Sequence, residues 1–308
     1  MPEIIVVGSL HMDLVIKSDR MPLPGETIPG HGFQTIPGGK GANQAVAAAR
    51  LGRQVAMAGR VGDDDFGRAL VENLGLQGVD AGPVQVDGET ATGIALIIVD
   101  QRGENSIVVA GGASLRVSPQ DIDALAWLWP QARFLLLQFE VPLETVAYAM
   151  AVAARHGVRV ILNPAPARAV SPQILSRADY LVPNEIEASM LTGVKVRDLV
   201  SAEEAAQKLV GYGVPVVIVT MGDKGALAVT AEQTFHVPAW QVDAVDTTAA
   251  GDAFNGGLAA ALVQGFPLKE AVRYATCAGT LATTRFGAQT SLPSAEEVQV
   301  FYERGTPT

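Results

Sequence analysis

A run of small residues towards the end of the chain leads into an acid at the start of an apolar stretch: Asp246-Thr-Thr-Ala-Ala-Gly-Asp-Ala-Phe-Asn-Gly-Gly257. The small side chains of Ala249, Ala250 and Gly251 would let a phosphate approach the backbone, where the free N–H groups and dipole of a helix form an anion site. Asp252 would stand at the edge of that site and could accept a proton from a hydroxyl attacking the γ-phosphorus of ATP. The stretch indicates phosphoryl transfer, although an acid in a first helical turn also stabilises a helix in its own right.

A second glycine-rich stretch, Gly38-Gly-Lys-Gly-Ala-Asn-Gln44, lies near the N-terminus. Glycines permit a tight turn and the close approach of a ligand, and Lys40 and Asn43 add hydrogen-bond donors. The stretch lacks the Gly-x-x-x-x-Gly-Lys-Ser/Thr spacing of a P-loop. No Gly-x-Gly-x-x-Gly turn follows the first apolar run, which argues against a nicotinamide oxidoreductase. Taken alone, the stretch is also explained as an ordinary turn before a helix.

The elements that must position these residues follow an α/β pattern. Short apolar runs predict strands at 4–10, 54–61, 134–139, 158–162, 180–182 and 216–220. Helices are predicted at 40–51, 64–74, 143–155, from Asn184 onward, and at 202–212, 251–263, 268–284 and 295–302. Strands that alternate with helices imply right-handed crossovers and a parallel sheet. We therefore expect a doubly wound α/β fold, with a mostly parallel sheet flanked by helices and ligands bound outside the carboxyl ends of the strands.

Two segments, about 11–37 and 90–112, have a different pattern. They hold short strand-like pieces separated by turns rich in Pro and Gly or in polar residues, such as Asp100-Gln-Arg-Gly-Glu-Asn105. We expect them to form a small β-sheet inserted into a single domain that spans 1–308. Beside the ligand-binding edge such a sheet would act as a lid. Its exposed strand edges could also mediate dimerisation.

Composition narrows the classes of partner. The chain has 308 residues, 48% of them hydrophobic, and a net charge of −10. This is ample apolar material for a core, and an acidic surface repels a phosphate backbone, so we expect no nucleic-acid partner. The N-terminus has no basic segment followed by an apolar one, and the chain has no apolar run of about 18 residues. We therefore expect no membrane partner and a cytoplasmic location.

Both glycine-rich stretches resemble the signature motifs of the ribokinase (PfkB) family of carbohydrate kinases. Other stretches occur in the family's order: Leu137-Gln-Phe-Glu140, Leu162-Asn-Pro-Ala-Pro-Ala167, Pro183-Asn-Glu-Ile-Glu187 and Arg285-Phe-Gly-Ala-Gln289. The set is more specific than any one motif and extends along the whole chain. The resemblance implies a ribokinase-like fold and ATP-dependent phosphorylation of D-ribose at the 5-hydroxyl, giving ribose 5-phosphate and ADP. It also implies Mg²⁺ or another divalent cation, K⁺ as a monovalent activator, and a homodimer through the β lid.

The resemblance implies a role for the residue at each matching position. For catalysis it implies Asp252 as general base and the backbone of Ala249, Ala250 and Gly251 as anion hole. The sugar would lie among His11, Asp13, Gly39, Lys40, Asn43, Glu140 and Asp252. The nucleotide and divalent cation would lie among Asn184, Glu187, Thr220, Gly222, Lys224, Gly225, Gly251 and Thr276. The monovalent cation would be surrounded, mostly by backbone carbonyls, by Asp246, Thr248, Ala282, Arg285, Gly287 and Ser291.

Several of these residues have purely structural alternatives. Asp13 could be a solvent-facing acid in a strand, and Glu140 could mark the exit of a strand into a loop. Asn184 and Glu187 fit an ordinary capping box at a helix start. Asp13 and Glu140 are favoured as binding residues because this kind of sheet binds ligands at the carboxyl ends of its strands.

One position departs from the family pattern and leaves the substrate open. Ribokinases carry Asn two positions before the sugar-binding Asp, where this chain has His11, whose imidazole is bulkier and titrates near neutrality. The nearest alternative is a kinase for another pentose, for deoxyribose or for a nucleoside. A second alternative is a non-catalytic sensor of sugar or nucleotide on the same scaffold. Asp252 and its intact Ala-Ala-Gly lead-in argue against the sensor.

Overall fold

The computed structural model describes residues 2–102 and 105–305. The strands are β1 Ile4–Val7, β2 His11–Ser18, β3 Gly30–Gly38, β4 Val55–Gly62, β5 Val79–Asp80, β6 Val84–Asp87, β7 Gly93–Val99, β8 Asn105–Ala110, β9 Phe134–Leu137, β10 Arg159–Leu162, β11 Tyr180–Leu181, β12 Val216–Thr220, β13 Ala226–Val229 and β14 Thr234–Val237. The helices are α1 Lys40–Arg50, α2 Asp65–Leu76, α3 Pro119–Asp123, α4 Leu143–His156, α5 Pro172–Leu175, α6 Glu185–Thr192, α7 Leu199–Gly211, α8 Ala250–Val263, α9 Leu268–Ala282, α10 Ala288–Ser291 and α11 Ala295–Glu303.

The main sheet has the strand order β14-β13-β12-β11-β10-β9-β1-β4-β5, and β6 pairs with β4. Its pairs from β12 to β5 are parallel, whereas β13 and β14 form an antiparallel extension at one edge. Buried side chains alternate between the two faces: Ile4 and Val6 of β1 join one hydrophobic cluster, and Ile5 and Val7 join the other. The expected doubly wound α/β fold is confirmed, and the hairpin β13–β14 is an addition that sequence periodicity did not predict.

Three neighbouring strands end at the same edge of this sheet. The last residues of β1, β9 and β10 are in register, with Val7 opposite Leu137 and Leu137 opposite Leu162. The segments that follow these strands therefore leave the sheet side by side: Gly8 to Leu10, Gln138 to Glu140, and Asn163 onward. Because all three strands are parallel, this is the carboxyl edge, where folds of this type bind ligands.

The second sheet stands apart from the first and has the order β3-β2-β7-β8. Its central pair β2–β7 is parallel and its two outer pairs are antiparallel. It is built from the two segments that were expected to form a lid, although Gly103 and Glu104 of the predicted turn lie outside the described residues. One face packs Val15, Ile36 and Ile97 against Phe286 of the main domain. Whether this sheet moves as a lid remains a prediction.

Helices α1 and α8 bring the two glycine-rich stretches together. The helices pack closely because Gly256 has no side chain: a Cβ there would lie 2.5 Å from the Cβ of Ala47. Their N-terminal ends consequently meet at the carboxyl edge of the sheet. Among the described residues, no helix is both long enough and apolar enough to cross a bilayer.

Candidate active site

The start of α8 is shaped to receive an anion. Ala249, which precedes the helix, has a left-handed backbone with φ of 60°, the one non-glycine residue among those described with positive φ. Within the described part of the chain, the backbone N–H of Ala250 donates to Thr247, whereas those of Gly251 and Asp252 have no acceptor. Unpaired N–H groups at the positive end of a helix dipole attract a negative group. Of the predicted anion hole, Gly251 therefore keeps a free donor and Ala250 does not, while Asp252 supplies a donor that was not predicted.

Asp252 is buried beside this helix start and held by two amides. Asn43 Nδ2 donates to Asp252 Oδ2 at 2.9 Å, and Gln44 Nε2 donates to Asp252 Oδ1 at 3.0 Å. Burial raises the pKa of the Asp252 carboxyl, while the charge of Lys40 and the two amide hydrogen bonds act in the opposite direction. A carboxylate whose pKa lies above its ordinary value is a stronger base, and the two donors keep it oriented.

Glu140 is fixed through one of its two oxygens. Ser9 Oγ and the backbone N–H of Lys40, the latter at 3.0 Å, both donate to Glu140 Oε2. No described residue donates to Glu140 Oε1, so this oxygen can accept from a ligand. Burial disfavours the charge on Lys40, but the carboxylates of Asp252 and Glu140 offset it and the pKa of Lys40 lies above its ordinary value. The ammonium therefore stays charged among these acids.

Asp13 lies on the wall of a cavity of about 510 Å³ between the second sheet and the loops at 244–248 and 286–288. Its side chain is 7% exposed, and no described residue donates a hydrogen bond to its carboxylate. Burial, and then the charges of Glu140 and Asp252, raise the pKa of Asp13 to about 7. An unpaired, buried carboxylate is costly unless a ligand supplies donors. The solvent-facing alternative for Asp13 is therefore wrong.

The glycines of the stretch Gly38–Gln44 make room for Asp13. A Cβ on Gly38 would lie 2.4 Å from Asp13 Oδ2, and a Cβ on Gly39, whose φ is 88°, would lie 2.7 Å from the backbone nitrogen of His11. Neither position accepts a side chain without displacing strand β2. These glycines thus allow the close approach of the chain's own strand, and the close approach of a ligand stays a prediction.

His11 is also buried, with 3% of its side chain exposed. Its Nδ1 lies 3.9 Å from Glu140 Oε2, and its Nε2 has no hydrogen-bond partner among the described residues. Burial lowers the pKa of His11 below its ordinary value, more than Glu140 raises it, so the ring is neutral at pH 7. The ring fits because Gly93 opposes it across β2–β7: a Cβ on Gly93 would lie 2.3 Å from His11 Cδ2.

The predicted nucleotide residues form a second group beside the first. Asn184 and Glu187 make a complete capping box for α6, with 2.8 Å bonds in both directions, and Asn184 bridges to Thr220. The structural alternative for this pair is therefore correct. The Glu187 carboxylate nevertheless lies close enough to Asp252 and Lys40 to feel their charges. Burial and the charge of Asp252 raise the pKa of Glu187, although Lys40 lowers it.

The remaining nucleotide residues lie along the end of β12 and on α9. Lys224 is paired with Glu185 at 3.1 Å, and Gly222 and Gly225 both have positive φ. The hydroxyl of Thr276 donates within its own helix to Val272 at 2.8 Å. Their contact with a nucleotide remains a prediction.

Two of the predicted cation residues, Thr248 and Gly287, contact Asp246. Its Oδ1 accepts from the Thr248 N–H and its Oδ2 from the Gly287 N–H, both at 2.9 Å, so the carboxylate ties the two loops together. The other members differ: Ser291 donates to Ala288 within α10, and the guanidinium of Arg285 pairs with Glu297. Ala282 ends α9. Residues 2–102 and 105–305 contain no cluster of three His, Cys, Asp or Glu side chains suited to a metal ion.

Sequence reasoning missed four polar side chains of this centre: Ser9, Gln44, Gln138 and Asn163. Ser9 binds Glu140, and the three amides form a buried chain that ends on Asp252. Gln44, Gln138 and Asn163 all stand within the motif stretches quoted above, so the motifs contained the information. What the sequence could not supply was their mutual contact.

The chain matches the pfkB family carbohydrate kinase model over residues 1–295. It is 40% identical over 298 residues to a ribokinase of Haemophilus influenzae, covering 97% of each chain. It is 42% identical over 296 residues to a deoxyribokinase of Salmonella typhi, covering 96% of this chain and 97% of that one. The solved structure of an Arabidopsis thaliana ribokinase complexed with ribose and ATP has a TM-score of 0.90 at 32% identity, covering 98% and 99% of the two chains.

Proposed function

Because the chain belongs to the pfkB family of carbohydrate kinases, and is thus an ATP-dependent phosphotransferase acting on a sugar hydroxyl, we propose that its substrate is D-ribose. The reaction transfers the γ-phosphoryl group of ATP to the 5-hydroxyl and gives ribose 5-phosphate and ADP. The observation that carries the proposal is the position of Asp252. Its buried carboxylate directly follows the unpaired N–H groups that begin α8, and its charge helps to raise the pKa of Asp13, which lines the cavity and has no donor among the described residues.

The chemical step follows from that position. A sugar hydroxyl that donates to Asp252 is aligned for attack and loses its proton to the carboxylate as the bond to phosphorus forms. The N–H groups of Gly251 and Asp252 and the dipole of α8 stabilise the charge on the transferred group. Burial of Asp252 favours proton uptake, and Asn43 and Gln44 keep the carboxylate in place.

The sugar subsite is rich in groups that only hydroxyls can satisfy. Asp13 and Glu140 Oε1 accept, Lys40 donates, and the buried Oδ1 of Asn43 has no partner among the described residues. A ring with several hydroxyls offers donors and acceptors to all of these at once. An analogue that lacks one hydroxyl leaves a buried group unpaired, which disfavours its binding.

A divalent cation fits the donor set. Mg²⁺ in phosphotransferases is usually held by one or two carboxylates together with substrate phosphates, so a dedicated protein cluster is not required. Glu187 is the carboxylate that we assign to it, with Asn184 beside it. The ion would supply charge neutralisation to the phosphates of ATP, which otherwise approach Asp13, Glu140 and Asp252.

A monovalent cation fits the loops that Asp246 joins. Each oxygen of its carboxylate already accepts one N–H, so an ion there would draw most of its ligands from backbone carbonyls, as K⁺ does in other carbonyl-lined sites. We assign the carbonyls of Asp246, Thr248 and Gly287 to this ion. Its charge would stiffen the loop that leads into the anion hole.

A second candidate substrate is deoxyribose. It is favoured by the relative named deoxyribokinase and by His11, which stands where ribokinases carry Asn. The neutral, buried ring of His11 leaves one nitrogen unpaired, and the ring is larger than an asparagine side chain. The two sugars differ by one hydroxyl, so a change of polar group at the sugar subsite is where discrimination between them would arise.

The second sheet also supports a homodimer. Strand β8 is exposed along its whole length, and Ile107, Val108 and Val109 present large apolar side chains to solvent. An exposed apolar edge strand pairs readily with another chain. Light scattering coupled to size exclusion would detect two copies, and a monomer at micromolar concentration would contradict this assignment.

Coupled release of ADP tests the proposed function. The assay contains ATP, Mg²⁺ and K⁺ with a panel of D-ribose, deoxyribose, other pentoses, fructose and nucleosides. We expect the highest kcat/KM with D-ribose; a higher value with deoxyribose would transfer the assignment to the second candidate. No turnover with any sugar would favour the sensor alternative.

A variant tests the base. Asp252→Asn should lower kcat by about 10²-fold or more while sugar binding persists, because only the positioned base is lost. The matched control is Asp65→Asn, an acid in the first turn of α2 whose side chain is 99% exposed. Turnover of Asp252→Asn equal to that of the control would remove Asp252 from the mechanism.

A further inference from the structure

Three buried amide side chains lie behind Asp252: Gln44, Gln138 and Asn163. They come from separate elements, namely α1, the segment after β9 and the segment after β10. Gln138 is fully buried and Gln44 is 1% exposed. Together with Asp252 they form one continuous chain of hydrogen bonds that crosses the carboxyl edge of the main sheet.

A backbone carbonyl fixes the direction of every amide in this chain. Val182 O can only accept, so Asn163 must turn its Nδ2 towards it, at 3.0 Å. Asn163 Oδ1 then faces Gln44 and requires its Nε2, at 3.2 Å. The same Nε2 donates its second hydrogen to Asp252 Oδ1 at 3.0 Å. Gln44 Oε1 is left to accept from Gln138 Nε2, at 2.6 Å.

Packing holds Gln138, the last amide in this series of hydrogen bonds. Gln138 Oε1 has no hydrogen-bond partner among the described residues and lies against the backbone of Gly8, where a Cβ would come within 2.2 Å of it. If the Gln138 amide turned over, its oxygen would face Gln44 Oε1, and two acceptors would meet without a proton. Gln138 can therefore support Gln44 in one orientation only.

We infer that Gln44 is a positioning residue for the base, and that Gln138 and Asn163 keep its N–H, rather than its carbonyl, turned towards Asp252. This inference rests on the proposed role of Asp252. If Gln44 turned over, its oxygen would face Asp252 Oδ1 and repel the carboxylate from its place. With Gln44 fixed, Asp252 keeps one orientation and retains lone pairs for the hydroxyl of the substrate.

Gln138 is the best position for a test because it contacts Gln44 and has no hydrogen bond to Asp252. Gln138→Leu keeps the approximate volume and removes the donor. We expect kcat to fall by about 10-fold or more, in the range for loss of a group that orients a reacting residue. The KM for the sugar and the KM for ATP should both be unchanged. The acid limb of the kcat profile should move up by about one pH unit, because a carboxylate that loses a donor has a higher pKa.

The matched control is Gln77→Leu. The Gln77 amide accepts from Arg50 Nε at 2.8 Å, at the C-terminal end of α1 and about 9 Å along the helix from Gln44. This variant removes a hydrogen bond of the same kind from the same helix, and its kcat and pH profile should match those of the unaltered protein. A profile for Gln138→Leu that coincides with the control would overturn the inference.

A double-mutant cycle tests whether Gln138 acts through Gln44. If it does, adding Gln138→Leu to Gln44→Leu should cause no further loss of kcat, because the link has already been broken. Losses that multiply independently would show that Gln138 acts by another route and would overturn the inference. The urea midpoint of each variant separates loss of folded protein from loss of alignment.

Gln138→Glu keeps the test available if the leucine variants do not fold. A protonated glutamic acid can donate to Gln44 as the amide does, whereas an ionised one can only accept and would turn Gln44 over. Activity relative to the unaltered protein should therefore fall as pH rises, and a constant ratio would contradict the inference. If only the inference about Gln44 fails, Asp252→Asn will still lower kcat by about 10²-fold or more. If the proposed base itself fails, Asp252→Asn will turn over like its control.

Discussion

The carboxylate of Asp13 offers a sharp test of the ligand site, because function and stability should respond to its removal in opposite directions. Asp13→Asn preserves the shape of the side chain and removes a charge that no described residue neutralises by hydrogen bonding. We expect the ligand-free variant to be more stable than the unaltered protein at pH 8. We expect it to bind sugar more weakly, because a neutral amide accepts hydrogen bonds less strongly than a carboxylate.

The size of the effect follows from the pKa of Asp13, which burial and the charges of Glu140 and Asp252 raise from 3.8 to about 7. The folded protein keeps this proton between these two values, where the unfolded chain has lost it, so the free energy of unfolding decreases as pH rises through the window. At about 1.4 kcal/mol per pH unit, the Asp13 carboxyl costs between about 1 and 2 kcal/mol of stability at pH 5, where only the unfolded chain is ionised, and between about 4 and 5 kcal/mol at pH 8. Asp13→Asn avoids this cost.

Urea unfolding of both proteins at pH 5 and pH 8, followed by tryptophan fluorescence without ligand, measures the difference. The stability advantage of Asp13→Asn should widen by roughly 3 kcal/mol between the two pH values, because two pH units separate pH 5 from the pKa of about 7. Titration calorimetry with the best sugar of the panel should show weaker binding by the same variant. The two results together would identify Asp13 as a group whose free carboxylate is held ready for hydroxyl donors.

Asp64→Asn is the matched control, and its change in stability should have the opposite sign to that of Asp13→Asn. The Asp64 carboxylate caps α2 by accepting from the Gly67 N–H at 2.8 Å, and it also accepts from Thr92. Burial opposes its charge, but these donors bring the pKa of Asp64 below its ordinary value. Asp64→Asn should therefore lose stability at neutral pH. An Asp13→Asn protein that is equally destabilised, or whose difference from the unaltered protein does not change with pH, would refute the reasoning about the cavity.

Three further expectations concern the ion, the lid and the histidine. Replacing Na⁺ by K⁺ at constant ionic strength should raise kcat if the loops joined by Asp246 bind a monovalent ion, and equal rates in the two salts would contradict that site. Saturating sugar should slow hydrogen exchange in segments 11–37 and 90–112 if the second sheet closes over the cavity, whereas unchanged exchange would count against a lid. Gly93→Ala should raise the KM for sugar more than that for ATP, because a Cβ within 2.3 Å of His11 Cδ2 must displace the ring; equal changes in both KM values would place His11 outside the sugar subsite.

The sequence by itself determined the fold class and most of the elements, and it predicted Asp252 as the reacting group. Periodicity and turn residues predicted the parallel strands and the start of α1 at Lys40, because these features depend on local geometry. The small residues ahead of Asp252 predicted the start of a helix at this point. The hairpin β13–β14 was missed although β1 and β9 are equally short, because β13 is half alanine and β14 is half polar, so neither is a continuous run of large apolar residues.

The tertiary structure alone decided which groups meet and in what state of charge. The pKa of Asp13 depends on burial and on Glu140 and Asp252, which are remote from it in the chain. Asp246 ties two loops together with the carboxylate that the sequence suggested for an ion site. The orientation of Gln44 is set by a carbonyl at Val182, through an amide from a third element. Hydrogen-bond direction and desolvation are properties of neighbours in space, and a linear pattern does not contain them.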